Sequence, residues 1–160
     1  MAASKIKHQY DALLALRSLT DRATPVTADA AGGGYVDLHH LLPEGTPGEP
    51  GALGDVAGLF GQRPFDVVIM IDAVDSTSGS ETYTLKLQTV DANKANPTDV
   101  PFGGAVITSA LVGEPLVVKV DPAVMKLADA DAAFLRIFAD VGGATPSITY
   151  YAFAAPNSRA

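Results

Sequence analysis

Phe65-Asp66-Val67-Val68-Ile69-Met70-Ile71-Asp72-Ala73-Val74 leads through the polar turn Asp75-Ser76-Thr77-Ser78-Gly79-Ser80 into Glu81-Thr82-Tyr83-Thr84-Leu85-Lys86-Leu87-Gln88-Thr89-Val90. In the second run Tyr83, Leu85 and Leu87 point one way and Thr82, Thr84, Lys86 and Gln88 the other. A period of two marks a half-buried strand. The first run places Phe65, Val67, Ile69 and Ile71 on one face, yet Val68 and Met70 make the opposite face apolar too. A strand apolar on both faces is central and covered on both sides. The pair reads as a central hairpin. Its Phe65, Val67, Ile69 and Ile71 face should fill a core with Tyr83, Leu85 and Leu87. Val68 and Met70 should take a second cover from an N-terminal helix or a neighbouring subunit. Asp72 and Asp75 read as shaping the turn end.

Downstream the same period recurs. Leu116, Val118 and Val120 alternate with Val117, Lys119 and Asp121, and Ala133, Leu135, Ile137 and Ala139 alternate with Phe134, Arg136, Phe138 and Asp140. Residues 102–109 predict a short strand with a bulge or bend at Gly103-Gly104. Residues 147–155 predict the last strand, after the turn Gly142-Gly143-Ala144-Thr145-Pro146. Asp121-Pro122 predicts one helical turn through Lys126, since Pro suits the first helical position. Upstream, residues 24–30 predict an edge or strand start confined by Pro25. Gly32-Gly33-Gly34 breaks it, and residues 35–40 predict another strand.

The front of the chain differs. Tyr10, Leu13, Leu14 and Arg17 follow i, i+3, i+4, i+7 spacing, which predicts a helix over 9–19. So short a helix must pack on something to persist. The chain thus divides into an arm and helix over 1–23 and a β-domain over 24–160. Leu42–Arg63 is dense in Pro and Gly, a loop of unusual length for a compact domain. Two readings of it stand: a mobile surface loop, or an excursion that contacts another subunit through Val56, Leu59 and Phe60. About eight strands and one short helix predict an all-β antiparallel sandwich or barrel. The absence of a βαβ rhythm argues against a nucleotide-binding α/β sheet.

The chain has 160 residues, enough for one domain with a sizeable core. It carries 11 Lys and Arg against 18 Asp and Glu, a formal net charge of −7. Such a balance argues against a sequence-independent nucleic-acid binder, which needs cations to displace counterions. The cations concentrate early, at Lys5, Lys7, Arg17 and Arg22. They make either a solvated terminus or an arm that docks on an acidic neighbour. No cysteine is present, so disulfides and thiolate chemistry are excluded. No run approaches the roughly 20 apolar residues of a membrane span, and no signal peptide is evident. The expectation is a soluble protein made in the cytoplasm.

Tests for chemistry return little. His39 and His40 are adjacent, so on a strand they point to opposite faces, and no zinc-ligand spacing exists. Asp129-Ala130-Asp131 lacks the remaining ligands of a calcium loop, and Asp is a common turn residue. Ser78-Gly79-Ser80 is not a nucleophile elbow. Gly32-Gly33-Gly34 lacks dinucleotide-binding spacing. No catalytic constellation, cofactor site or metal site is predicted.

Several stretches together resemble the cement, or decoration, proteins of tailed-bacteriophage capsids. They are residues 10–16 with Tyr35-Val36-Asp37-Leu38; Phe65-Asp66-Val67-Val68-Ile69 with the Ser-Gly-Ser turn and Glu81–Gln88; and Phe134-Leu135-Arg136-Ile137 with Thr145–Phe153. The resemblance implies a jelly-roll β-sandwich that forms homotrimers on the outer capsid surface, where major capsid proteins meet. It implies no enzymatic activity and no cofactor. The 42–63 loop is longer than the family pattern. On this reading the capsid or subunit contacts are sought at Lys5, Lys7, Tyr10, Arg17, Arg22, Val56, Leu59, Phe60, Val68 and Met70. The other reading is a carbohydrate-binding, lectin-like jelly roll, against which the absence of Trp counts.

Overall fold

The computed structural model describes residues 14–38 and 64–156. Nine strands occur there: β1 (Ala15–Arg17), β2 (Ala30–Ala31), β3 (Val36–Asp37), β4 (Phe65–Val74), β5 (Thr82–Val90), β6 (Thr98–Val106), β7 (Pro115–Val120), β8 (Phe134–Gly142) and β9 (Ile148–Pro156). One helix, α1 (Pro122–Ala128), sits between β7 and β8. The first sheet has the order β1-β9-β4-β7 and the second β2-β8-β5-β6, with β3 also on β8. Every ladder is antiparallel. Taking β2 and β3 as two halves of one strand on β8, the chain crosses between sheets at every connection except β5–β6. That is the jelly-roll path, so the all-β antiparallel sandwich expected from sequence is the architecture observed.

The core lies between the sheets and follows from the alternation. Phe65, Val67, Ile69 and Ile71 of β4 meet Tyr83, Leu85 and Leu87 of β5, Leu135, Ile137 and Ala139 of β8, and Ile148, Tyr150, Ala152 and Ala154 of β9. Each of the large side chains contributes roughly 1.5–3 kcal/mol by leaving water. Asp121-Pro122 starts α1 as expected. The amide of Met125 donates to the Asp121 carbonyl at 3.1 Å, and Met125 is itself buried in the core.

Two expectations are corrected. Residues 65–90 do not form a hairpin. β4 pairs with β9 and β7 in one sheet, while β5 pairs with β8 and β6 in the other. The polar turn is an arch across the sandwich, and both strands are central, each in its own sheet. The second correction concerns the helix predicted over 9–19. Residues 15–17 of it are strand β1, paired with β9 through Ala15↔Phe153 and Arg17↔Ala152. Helical spacing is a weak preference beside an open strand edge that offers backbone partners and a core site for Leu16. The sandwich therefore starts at β1, ahead of the boundary at residue 24.

Gly32-Gly33-Gly34 separates β2 from β3 for a steric reason. A Cβ on Gly32 would lie 2.5 Å from both the Leu16 carbonyl oxygen and Ile137 Cγ2. The Gly34 amide donates to the Leu16 carbonyl at 3.1 Å. The break is where the edge of the second sheet presses its backbone against β1 of the first.

Candidate interaction surfaces

Of the residues singled out from sequence, Lys5, Lys7, Tyr10, Val56, Leu59 and Phe60 lie outside the described residues, as do the three histidines and the 42–63 loop. Arg17 is described, and it belongs to the interior. It is 7% exposed. Its Nε donates to the Tyr150 carbonyl at 3.1 Å, and its Nη2 donates to the carbonyls of Asp21 at 2.9 Å and Thr24 at 2.7 Å. The guanidinium also lies 4.9 Å from the Tyr150 ring centroid. This cation fastens β1 and the helical turn after it to β9; it is not a surface contact. Beneath it, the Tyr150 hydroxyl is buried with no hydrogen-bond partner among the described residues, and burial pushes that phenol up to about 12.

Arg22 lies on the outward side of the first sheet. It grips Asp72 with two contacts of 2.6 Å and lies 5.2 Å from the Tyr151 ring centroid. The Asp72 hydrogen bond and charge raise the guanidinium above its ordinary value. Asp72 therefore holds the segment after β1 against β4 and does not shape the turn, contrary to the sequence reading. The pair is exposed, so its contribution to stability is small.

Val68 and Met70 point to that same outward side. Val68 is 3% exposed and forms an apolar cluster of its own with Phe153 and Ala155, against which Val117 and Tyr151 pack. The Tyr151 and Phe153 rings stack at 6.3 Å. Met70 is half-buried. The side chains that bury Val68 thus come from β9 and β7 of its own sheet; the helix or neighbouring subunit expected to cover it is not among them. Asp66, buried on the same side, accepts from Lys119 Nζ at 3.3 Å.

At the arch, Asp75 does serve the turn. Its Oδ1 accepts from the Thr77 amide at 2.9 Å and the Thr77 hydroxyl at 2.5 Å, which hold its carboxyl below the ordinary value. Glu81 is held low mainly by the Ser78 hydroxyl. The Tyr83 hydroxyl donates to the Asp75 carbonyl at 2.5 Å and accepts from the Ser147 amide at 2.9 Å, joining the β4–β5 and β8–β9 turns. Asp129 also serves local structure, accepting from the Asp131 amide at 3.1 Å and the Thr89 hydroxyl at 2.6 Å.

The outward face of the second sheet is a paired polar surface. Lys86 donates to Asp140 at 2.6 Å, and Gln88 bridges Asp99 and Arg136. Lys94 lies 4.7 Å from the Tyr35 ring centroid and 5.5 Å from that of Phe134. The cation so lies against these two rings.

Sequence reasoning missed the edge at β6. Phe102 there is 94% exposed, Val106 is 71% exposed, and Leu127 of the adjoining α1 is 90% exposed. An apolar residue in a strand pattern reads as core; only Gly103-Gly104, which marked a bulge, hinted at anything else. The bulge is real, since the β5–β6 register shifts between Lys86 and Gln88.

Among the described residues no group of three or more His, Asp or Glu side chains is placed to hold a metal ion. None of their helices is long and apolar enough to cross a membrane. No protein-family model matches the chain, and no curated protein matches it with significance.

Proposed function

We propose that this chain is a non-enzymatic decoration protein of a tailed-bacteriophage capsid. On this reading it binds the outer surface of the shell as a homotrimer, where major capsid proteins meet, and holds the lattice together. One observation carries the reading. The later stretches that resemble that family supply β4 and β9, the inner strands of the first sheet, and β5 and β8, the inner strands of the second. The likeness therefore runs through the centre of a jelly roll, the fold it implies. The physics suits the role. A brace across a seam needs a stiff body and surface to bury against several neighbours, and inner strands with long ladders supply the stiffness. An acidic body also avoids adhering to packaged DNA.

The test is co-sedimentation of the purified chain with expanded shells that lack it, together with its size by light scattering. Expected are a trimer, saturable binding at a fixed ratio to the major capsid protein, and a shell that resists heating better when decorated. A monomer that never joins shells would overturn the proposal. The basic arm is tested by removing residues 1–13, which spares β1. Weaker shell binding is expected, and full occupancy would remove the arm from the contact.

A further inference from the structure

We infer that the edge formed by β6 and α1 docks a protein surface offering an apolar pocket rimmed by Lys or Arg, with Phe102 as the side chain that enters it. This rests on the capsid reading for the identity of the partner, the major capsid protein, and names the face of this chain that would meet it.

Among the described residues Phe102, Leu127 and Val106 are the most exposed of the large apolar side chains, and they lie on β6 and on the helix packed against it. The backbone makes Phe102 more than a chance exposure. Its φ is +61°, in the left-handed region, where a bulky side chain is a rare occupant. Such a conformation persists only where its surroundings fix it, and residues held so cluster at functional positions. Here the surroundings do fix it. Gly103 follows in a buried position where a Cβ would lie 3.0 Å from Val100 and 3.1 Å from Leu87 Cβ. The bulge is thus set by the core, and the ring is held away from the body. Pro101 and the bulge also spoil this edge for strand addition. Recognition must then come from the side chain, as an aromatic anchor filling a partner's pocket.

Charge selects the partner. Residues 98–131 contain Asp99, Glu114, Asp121, Asp129 and Asp131 against Lys119 and Lys126; Lys119 lies beside Asp66, and Lys86, opposite Gly104 of β6, is paired with Asp140. Asp99 is on β6 itself, and Asp121, Asp129 and Asp131 flank α1. A second copy would bring the same acidic rim against this one. Nucleic acid and anionic lipid are disfavoured by the same repulsion. A protein surface with basic groups around an apolar pocket gains from both components.

Phe102→Gly is the informative variant, because glycine accepts the left-handed backbone and the exposed ring gives up no buried contact. Its melting temperature should equal or exceed that of the parent chain. Its affinity for expanded shells lacking the chain should fall about tenfold or more, as for loss of a hot-spot side chain. Leu127→Ser and Asp131→Lys should each weaken binding, and added NaCl should weaken that of the parent. Unchanged shell affinity for Phe102→Gly, with the parent chain binding, overturns the docking edge and leaves the capsid reading standing. If the parent chain does not bind shells, the capsid reading fails and a second arm decides. A photo-reactive benzoylphenylalanine replaces Phe102 in the cells that make the protein. Cross-links to one basic-surfaced protein, abolished by Asp131→Lys, support the edge. Cross-links to itself or to lipid, or none, overturn it.

Discussion

At Arg17 a charge has been taken out of water, and the carbonyls of Asp21, Thr24 and Tyr150 stand where water would. Replacing it with Leu keeps the apolar stem and strands those acceptors. The expected loss is about 2–4 kcal/mol, read as a lower urea midpoint at unchanged slope. Arg17→Lys should recover only part, because an ammonium cannot reach three carbonyls in the planar fork. Asp91 offers a test in pH. It accepts from the amides of Asn93 and Ala95 at 2.9 Å each and from the Asn96 side chain at 2.8 Å. The Ala95 amide, then Asn96, hold its carboxyl below the usual 3.8. A carboxyl depressed in the folded state binds its proton more readily when unfolded. Its stabilisation is full above 3.8 and is lost as pH falls below that value through the folded one. Asp75 and Glu81 are depressed also and add to the same acid limb. Stability measured by urea from pH 7 down to about 2.5 should decline below the ordinary carboxylate values. Asp91→Asn, which keeps an acceptor and removes the titration, should flatten that decline.

The elements show which parts of the fold were legible in the sequence. The alternation of Tyr83, Leu85 and Leu87, and of Ala133, Leu135, Ile137 and Ala139, assigned their buried faces correctly, because a period of two fixes which side chains point inward. It does not say which strand lies alongside. The turn between β4 and β5 is long enough either to fold a hairpin or to span the gap between sheets, and the structure takes the second. The short helix was misread at residues 15–17 for the related reason that Leu16 satisfies a core site from a strand as well as from a helix. Phe102 was illegible as a surface residue, since its exposure arises from a register shift between strands that no local pattern records. Glycine choice at the β2–β3 break makes a test. Gly32→Ala should cost about 2–4 kcal/mol, because the added methyl meets backbone and a core side chain that cannot both retreat. Gly33, with φ +82° and nothing among the described residues within 4 Å of its Cβ position, should cost only about 1 kcal/mol on the same change. Equal losses at the two sites would refute the close-approach account. Tyr83→Phe belongs to this scale also. It should cost about 1–2 kcal/mol by releasing the two turns that its hydroxyl joins.

Across the whole molecule, β5–β6 is the one strand pairing among the described residues that joins neighbours in the chain; β1 and β9, at the two ends, close the first sheet together. Almost no ladder can form until distant segments meet, and the entropy of closing those loops comes before the contacts that reward it. Two consequences follow for the intact chain. Refolding after dilution from urea should take milliseconds to seconds, the range of sandwiches dominated by non-local pairing, and a microsecond phase carrying the full amplitude would contradict this. The chain ends should also be indispensable to each other. Removing residues 1–22 takes away Leu16, fully buried in the core, and Arg17, leaving the carbonyls of Thr24 and Tyr150 without their donor. A large buried side chain alone is worth about 3–5 kcal/mol against the total of roughly 5–15 kcal/mol that such a domain possesses. Truncation at residue 23 should therefore abolish the cooperative urea transition. Tyrosine fluorescence can follow it, since the chain has five tyrosines and no tryptophan. A truncated chain that still unfolds in one sharp step would mean that β1 is an accessory of the first sheet. The arm's part in shell binding could then be measured with the longer deletion; on the present geometry it must be measured with residues 1–13 alone removed.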